Sequence, residues 1–265
     1  WGRSQRVVGG EGRGGQLHLG WWWRGSREGG VGVGRAAQAV LRVEVGRDGG
    51  ARGGGARRGS VLRAAMTAKR QAENGVSVDP DSEIIVTAGA QGALMVTLMT
   101  LLDPGDNALT PSPHYDEYTR DATILGGALL PVATTLDTNF TIRAADLERA
   151  ITPRTKALVI VSPNNPTGTV LPEATLREIA ALAQARDLLV VSDEIYESYG
   201  FDDHRHGSMA SLPGMRERTI TINSFSKSFG MTGLRLGYIA APAALVEAML
   251  PFHHAMMICA SVVSQ

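Results

Sequence analysis

The sequence predicts an α/β fold, a mostly parallel seven-stranded sheet sandwiched by helices. Three observations carry that expectation. From Leu62 onward, short β-rich runs alternate with helical patterns, the order that builds strand–helix–strand units. The runs are continuously apolar rather than alternating, as strands covered on both faces are. The residues with chemical character fall just beyond the ends of those runs, where ligands sit in parallel sheets.

Taken in order, residues 62–74 read as a helix that Gly75 stops. Strands are expected over 83–87, 107–110, 128–133, 155–161, 188–192, 219–224 and 236–240, each rich in Val, Ile, Leu, Thr or Ala. Helical patterns lie between them near 91–102, 116–125, 144–150, 172–185 and 243–249. Together these define a domain over 62–265.

Before residue 62 the texture is different. Residues 1–60 hold 19 of the 32 glycines, all four tryptophans and no lysine, and residues 1–70 carry 14 Arg or Lys against four acidic groups. No helical or strand period runs through this stretch, and so many glycines make ordering entropically costly. Residues 1–61 are therefore expected to be a Gly/Arg-rich extension, disordered or foreign to the fold. Gly10, Gly12 and Gly15 spell G-x-G-x-x-G, but a dinucleotide site needs a strand before that motif and a helix after it. Neither pattern is there.

Bulk properties exclude several classes of function. Formal charge is balanced, with 26 basic against 26 acidic residues, so no acidic partner, anionic membrane or nucleic acid is indicated by the total. No apolar run is long enough to span a bilayer. The single cysteine, Cys259, rules out a disulfide framework and points to the reducing cytoplasm. The chain opens with Trp1 and its first methionine is Met66, so a natural translation start is not expected at residue 1. Nor do the first residues have the apolar core and cleavage site of a secretory signal.

Four motifs carry chemistry. Thr87-Ala88-Gly89-Ala90-Gln91 follows one strand and opens a long apolar helix; small residues there let an anion approach the N–H groups of the first turn. Taken alone it is also an ordinary strand-to-helix turn. Ser162-Pro163-Asn164-Asn165-Pro166-Thr167-Gly168 is a rigid turn that aims Asn165. In Ser192-Asp193-Glu194-Ile195-Tyr196 a carboxylate ends a buried strand, where it needs a donor or a cation unless it only caps a helix. The richest segment runs from Ser224 to Arg235 and holds Ser224, Ser226, Lys227 and Arg235. Lysine is scarce after Lys69, with only Lys156 and Lys227 remaining. Flanked by serines and phenylalanines, Lys227 is expected to be partly buried, which lowers an amine's pKa and favours Schiff-base chemistry. Arg235 offers a planar fork that suits a phosphate.

The order N-P-T-G (Asn165 to Gly168), D-x-x-Y (Asp193 to Tyr196), S-x-S-K (Ser224 to Lys227) and an arginine eight residues later (Arg235) resembles the class I/II aminotransferases, the aspartate and aromatic aminotransferase-like enzymes of pyridoxal-phosphate fold type I. The resemblance covers about 62–265. It implies pyridoxal 5'-phosphate (PLP) as cofactor, held as a Schiff base on Lys227, which would also move the substrate proton. It implies that Asp193 pairs with the pyridine nitrogen, and that Tyr196 and Asn165 donate to the ring's phenolic oxygen. By the same resemblance the amides of Ala90 and Gln91, the hydroxyls of Ser224 and Ser226, and Arg235 bind the phosphate, while Tyr115 stacks on the ring. The implied reaction transfers an amino group between an amino acid and a 2-oxo acid, in a cytoplasmic homodimer with no metal. The family's N-terminal arm and its small domain, which supplies the substrate-clamping arginine, have no counterpart here. Phe252, Met256, Met257 and Ile258 are expected to be left with little cover, and the chain as written to have negligible turnover.

Other readings are open at this level. Ser224-Phe225-Ser226-Lys227 is also S-x-x-K, but its serine β-lactamase companions S-D-N and K-T-G are absent. A relative catalysing β-elimination or ring closure shares the same cofactor residues, and an inactive fragment would keep them too. The arginine- and glycine-rich extension with Trp21-Trp22-Trp23 resembles a nucleic-acid-binding tail, although it contains no folded module and nucleic acid is not the expected partner.

Overall fold

The computed structural model describes residues 59–201, 205–261 and 263–265. The expectations for the glycine-rich extension and its G-x-G-x-x-G therefore lie outside the described residues.

Helix α1 (Ser60–Lys69) runs on into a π turn over Arg70–Asn74, and Gly75 closes it at φ +68, a left-handed stop that glycine adopts without a Cβ clash. Alternating strands and helices follow: β1 (Ile84–Thr87), α2 (Gly89–Leu101), β2 (Asn107–Ser112), α3 (Glu117–Ile124), β3 (Ala128–Ala133), α4 (Ala144–Ala150), β4 (Thr155–Val161), α5 (Glu173–Ala185), β5 (Leu189–Asp193), β6 (Thr219–Ser224), β7 (Gly237–Ala240) and α6 (Ala243–Met257). The strands form one sheet in the order β1-β7-β6-β5-β4-β2-β3. β7 runs antiparallel to both of its neighbours and the other pairings are parallel.

The continuous apolar runs have the expected cause. In β4, Ala157, Val159 and Val161 face one core with Leu94, Leu98, Val246 and Met249. Leu158 and Ile160 face a second core with Leu147, Leu176 and Ile179. Each face of the sheet is sealed by helices, so both members of the strand period must be apolar. A third cluster packs Leu62 and Met66 of α1 on Ile84, Val86 and Tyr238. Among the described residues no helix is long and apolar enough to cross a membrane.

Two elements run further than the sequence suggests. β2 continues through Pro111 to Ser112, because its last residues pair only with β3 after the β4 ladder ends at Leu109; a strand that has lost one neighbour tolerates a missing N–H. α6 crosses Pro251, where a helix is expected to end. Beyond it, His253 is fully buried and its Nε2 lies 3.0 Å from the Val86 carbonyl, tying the helix to β1.

Since β7 is antiparallel to both β1 and β6, those two strands run the same way. The carboxyl ends of β1, β2, β4, β5 and β6 and the amino end of β7 therefore share one edge of the sheet.

Candidate cofactor site

The motif residues meet along that edge. Thr87 pairs with Gly237, which also pairs with Ser224, and Val161 pairs with Asp193. Ala90 and Gln91, Asn165, Asp193 to Tyr196 and Ser224 to Lys227 thus leave the sheet side by side.

At one end lies an anion cradle. Helix α2 starts at Ala88 and Gly89 with no side-chain cap and no acidic residue in its first turn, so its positive end is not neutralised locally. Gly89 has φ +76, and the Arg235 guanidinium lies so close that a Cβ there would come within 2.5 Å of it. A Cβ on Gly237 would meet the backbone at Gly89 (2.6 Å) and Ala90 (2.8 Å), so β7 touches the first turn of α2 directly. Arg235 itself sits at φ +51 and donates to the Thr232 carbonyl at 3.0 Å. Ser224 Oγ donates to the Leu236 carbonyl (3.3 Å) and accepts from Ser226 N–H (3.1 Å), which holds the start of the Ser226–Lys227 turn against β7. The side chain of Gln91 points away, donating to Asp121 at 2.8 Å. Only its main chain belongs to the cradle.

Asp193 stands at the end of β5, 6% exposed. One oxygen accepts from the Ile195 amide at 3.2 Å, and the other accepts from the Tyr118 hydroxyl. Burial pushes its carboxyl up to about 6, against the opposing pull of Tyr118 and Ile195. No helix follows, so the carboxylate caps only a turn. Tyr118 was not among the expected site residues. Its signal was local: it lies three residues after Tyr115, and the two rings meet edge to face at 5.5 Å. Burial and the Asp193 carboxylate together raise the Tyr118 phenol far above its ordinary value, which keeps it a donor.

Lys227 Nζ lies 5.4 Å from the centre of the Tyr196 ring. The expected partial burial of this lysine is not found, for Lys227 is exposed. The turn after β6 sends Phe225 inward instead, where it packs on Phe229 and Tyr238, and turns the amine outward. Tyr115 is 40% exposed, available as a ring face rather than as core. Asn165 is half-buried at the tip of its loop, which closes on itself through Asn164 N–H to the Thr169 carbonyl (2.8 Å) and Thr167 to the Asn164 side chain (2.9 Å).

A family model for aminotransferase class I and II matches residues 33–265. The chain belongs to that family. It is 44% identical over 191 residues to the aspartate aminotransferase of Pyrococcus abyssi, covering 72% of this chain and 49% of that protein. It is 43% identical over 191 residues to aromatic-amino-acid aminotransferase 2 of Thermococcus litoralis, again covering 72% and 49%. Among solved structures, the aromatic aminotransferase from Pyrococcus horikoshii superposes with a TM-score of 0.74 at 42% identity, over 76% of this chain and 54% of that one. The aspartate aminotransferase of Thermus thermophilus with maleate gives 0.76 at 38% identity, over 80% and 55%. The chain spans about half the length of the curated relatives it matches.

The described residues fit the cofactor of a pyridoxal-phosphate enzyme. The uncapped start of α2 under Arg235 suits a phosphate, and Asp193 offers a buried carboxylate for a protonated ring nitrogen. Lys227 supplies an accessible amine on the same edge.

Proposed function

We propose that this chain is the cofactor-holding part of a PLP-dependent aminotransferase, which moves an amino group between an amino acid and a 2-oxo acid. The observation that carries the proposal is Asp193: a carboxylate buried at the end of a central strand, held by Tyr118, on the edge that also bears Lys227 and Tyr196. Even with Tyr118 and Ile195 donating to it, an ionised carboxylate buried there lowers stability, and a cationic ring nitrogen would compensate it.

Bound there, PLP would supply an electron sink that acidifies the Cα–H of an attached amino acid. The chain's residues do the rest. Asp193 would keep a proton on the ring nitrogen. Tyr196 and Asn165 would donate to the phenolic oxygen, and Tyr115 would cover a ring face. The amides of Ala90 and Gln91, with Ser224, Ser226 and Arg235, would anchor the phosphate. Lys227 Nζ would hold the cofactor and, as a free amine, would take the proton from Cα and return it as a general base and acid. Its exposure leaves the amine open to attack an aldehyde. The same reading includes a homodimer in the cytoplasm, the second part supported by the single cysteine, which has no partner for a disulfide.

Incubation with PLP followed by borohydride should leave one pyridoxyl group on Lys227, located by peptide mapping. Labelling at Lys69 or Lys156 instead would overturn the assignment.

A further inference from the structure

Beneath the cofactor edge lies a buried polar cluster to which the proposed reaction assigns no role. Lys69 of α1, Arg70 of the π turn that follows it, Glu194 and Glu197 of the turn after β5, His206, Ser208, Thr221 and Asn223 all meet there. Glu194, Glu197 and His206 bring ligand-type atoms within 4.8 Å of one another, but each carboxylate already faces a cation. Arg70 lies 3.6 Å from Glu194 and Lys69 2.5 Å from Glu197.

Glu197 has the most consequential contacts. Its Oε1 accepts from Lys69 Nζ and from Asn223 Nδ2, both at 2.5 Å, and its Oε2 accepts from Asn74 Nδ2 at 3.0 Å. Lys69 and Asn74 reach the same carboxylate because the helix widens into its π turn between them, a distortion that recurs at functional sites. On the other side, Asn223 Oδ1 accepts the amide N–H of Ser224 at 2.7 Å. Glu197 therefore ties the turn after β5 to the last residues of β6, past the point where those two strands pair. The β5–β6 ladder ends at Asp193 and Ile222, with one further bond from Glu194 N–H to the Ile222 carbonyl. Beyond it, Tyr196 and the Ser224–Lys227 segment depart separately. Burial would lower the Lys69 amine, but Tyr238 and Glu197 outweigh it and hold it above its ordinary value, so Lys69 stays charged at working pH.

We propose that Glu197 is a positioning residue for the cofactor site. By linking Lys69 and Asn74 to Asn223, it fixes the Tyr196 turn against the segment that carries Lys227, so that the Tyr196 hydroxyl and the lysine amine address the same cofactor. This rests on the PLP reading above. Its consequence is electronic: if Tyr196 drifts, the phenolic oxygen loses a donor, retains more negative charge and holds the neighbouring proton more tightly.

The test uses the full chain loaded with PLP and reads the pH midpoint of the bound cofactor's visible absorbance. Tyr196→Phe should raise that midpoint by on the order of one pH unit, the worth of one hydrogen bond to a charged oxygen. Glu197→Gln should move it in the same direction, and the double variant should move it no further than Tyr196→Phe alone, as coupled residues do. Asn223→Ser opens the bridge without baring a charge and should give the same upward shift if Glu197→Gln does not fold. A lowered melting temperature with an unmoved midpoint in either folded variant overturns the inference and leaves the PLP reading intact. Absence of any pyridoxyl label on Lys227 in the unsubstituted chain overturns both.

Discussion

At the end of β5 a carboxylate is 6% exposed, with one phenol and one amide as its donors. Ionising it in that position is unfavourable, which is why burial raises it from 3.8 to about 6. At about 1.4 kcal/mol per pH unit, charging Asp193 near neutral pH costs the cofactor-free fold about 3 kcal/mol. A raised acid pKa means that this cost appears as pH climbs from about 4 to 6 and persists above. Asp193→Asn keeps a carbonyl acceptor for the Ile195 amide, turns an N–H toward the Tyr118 hydroxyl, which can accept it, and carries no charge. The cofactor-free variant should therefore melt higher than the unsubstituted chain above pH 6, with the gap closing below pH 4. Equal melting across that range would mean the carboxylate is better solvated than its burial implies. Sequence alone made Asp193 legible as a strand-end acid needing a partner. It did not reveal Tyr118, whose hydroxyl meets it from 75 residues away. Lys227 was legible by motif but not by environment, because flanking phenylalanines mark a buried residue only when the backbone between them does not turn.

Elements were easier to read than contacts. The seven strands lie where apolar runs put them, since a sheet covered on both faces leaves little freedom in composition. Local rules failed where a distant partner overrode them, as at Pro251, where buried His253 anchors the far side of the helix, and in the π turn, whose i and i+5 residues gain a shared carboxylate only in the fold. The meeting of β7 and α2 is another such contact. Gly237→Ala would drive a Cβ into the backbone at Gly89, Ala90 and Asn223 at 2.6 to 2.9 Å, and backbone cannot swing aside as a side chain can. Overpacking of this kind costs about 1–3 kcal/mol, and it shifts the first turn of α2, where the phosphate would bind. The variant should melt lower and need more PLP for half-maximal labelling of Lys227. Gly233→Ala, whose Cβ meets nothing within 4 Å, should match the unsubstituted chain in both measurements.

Across the molecule, residues 90 to 235 send loops from several strands to one edge, so a ligand there contacts separate parts of the chain at once. Anything that binds the folded form and not the unfolded one stabilises the whole sheet, by about 2.7 kcal/mol when its concentration is a hundredfold above Kd. At about 2–4 °C per kcal/mol for a domain of this size, saturating PLP should raise the melting temperature by about 5–10 °C. The phosphate's share of that binding is separable. 5'-Deoxypyridoxal, which unlike pyridoxal cannot close an internal hemiacetal, would present the same aldehyde to Lys227 and the same ring to Asp193 and Tyr115, but nothing to the uncapped start of α2 or to Arg235. It should therefore require a much higher concentration for the same shift. Arg235→Ala should erase most of the advantage of PLP over 5'-deoxypyridoxal while leaving Lys227 the site of borohydride labelling. If PLP and 5'-deoxypyridoxal stabilise the unsubstituted chain at equal concentrations, the Arg235 and α2 cradle is not the phosphate site, whatever the lysine does.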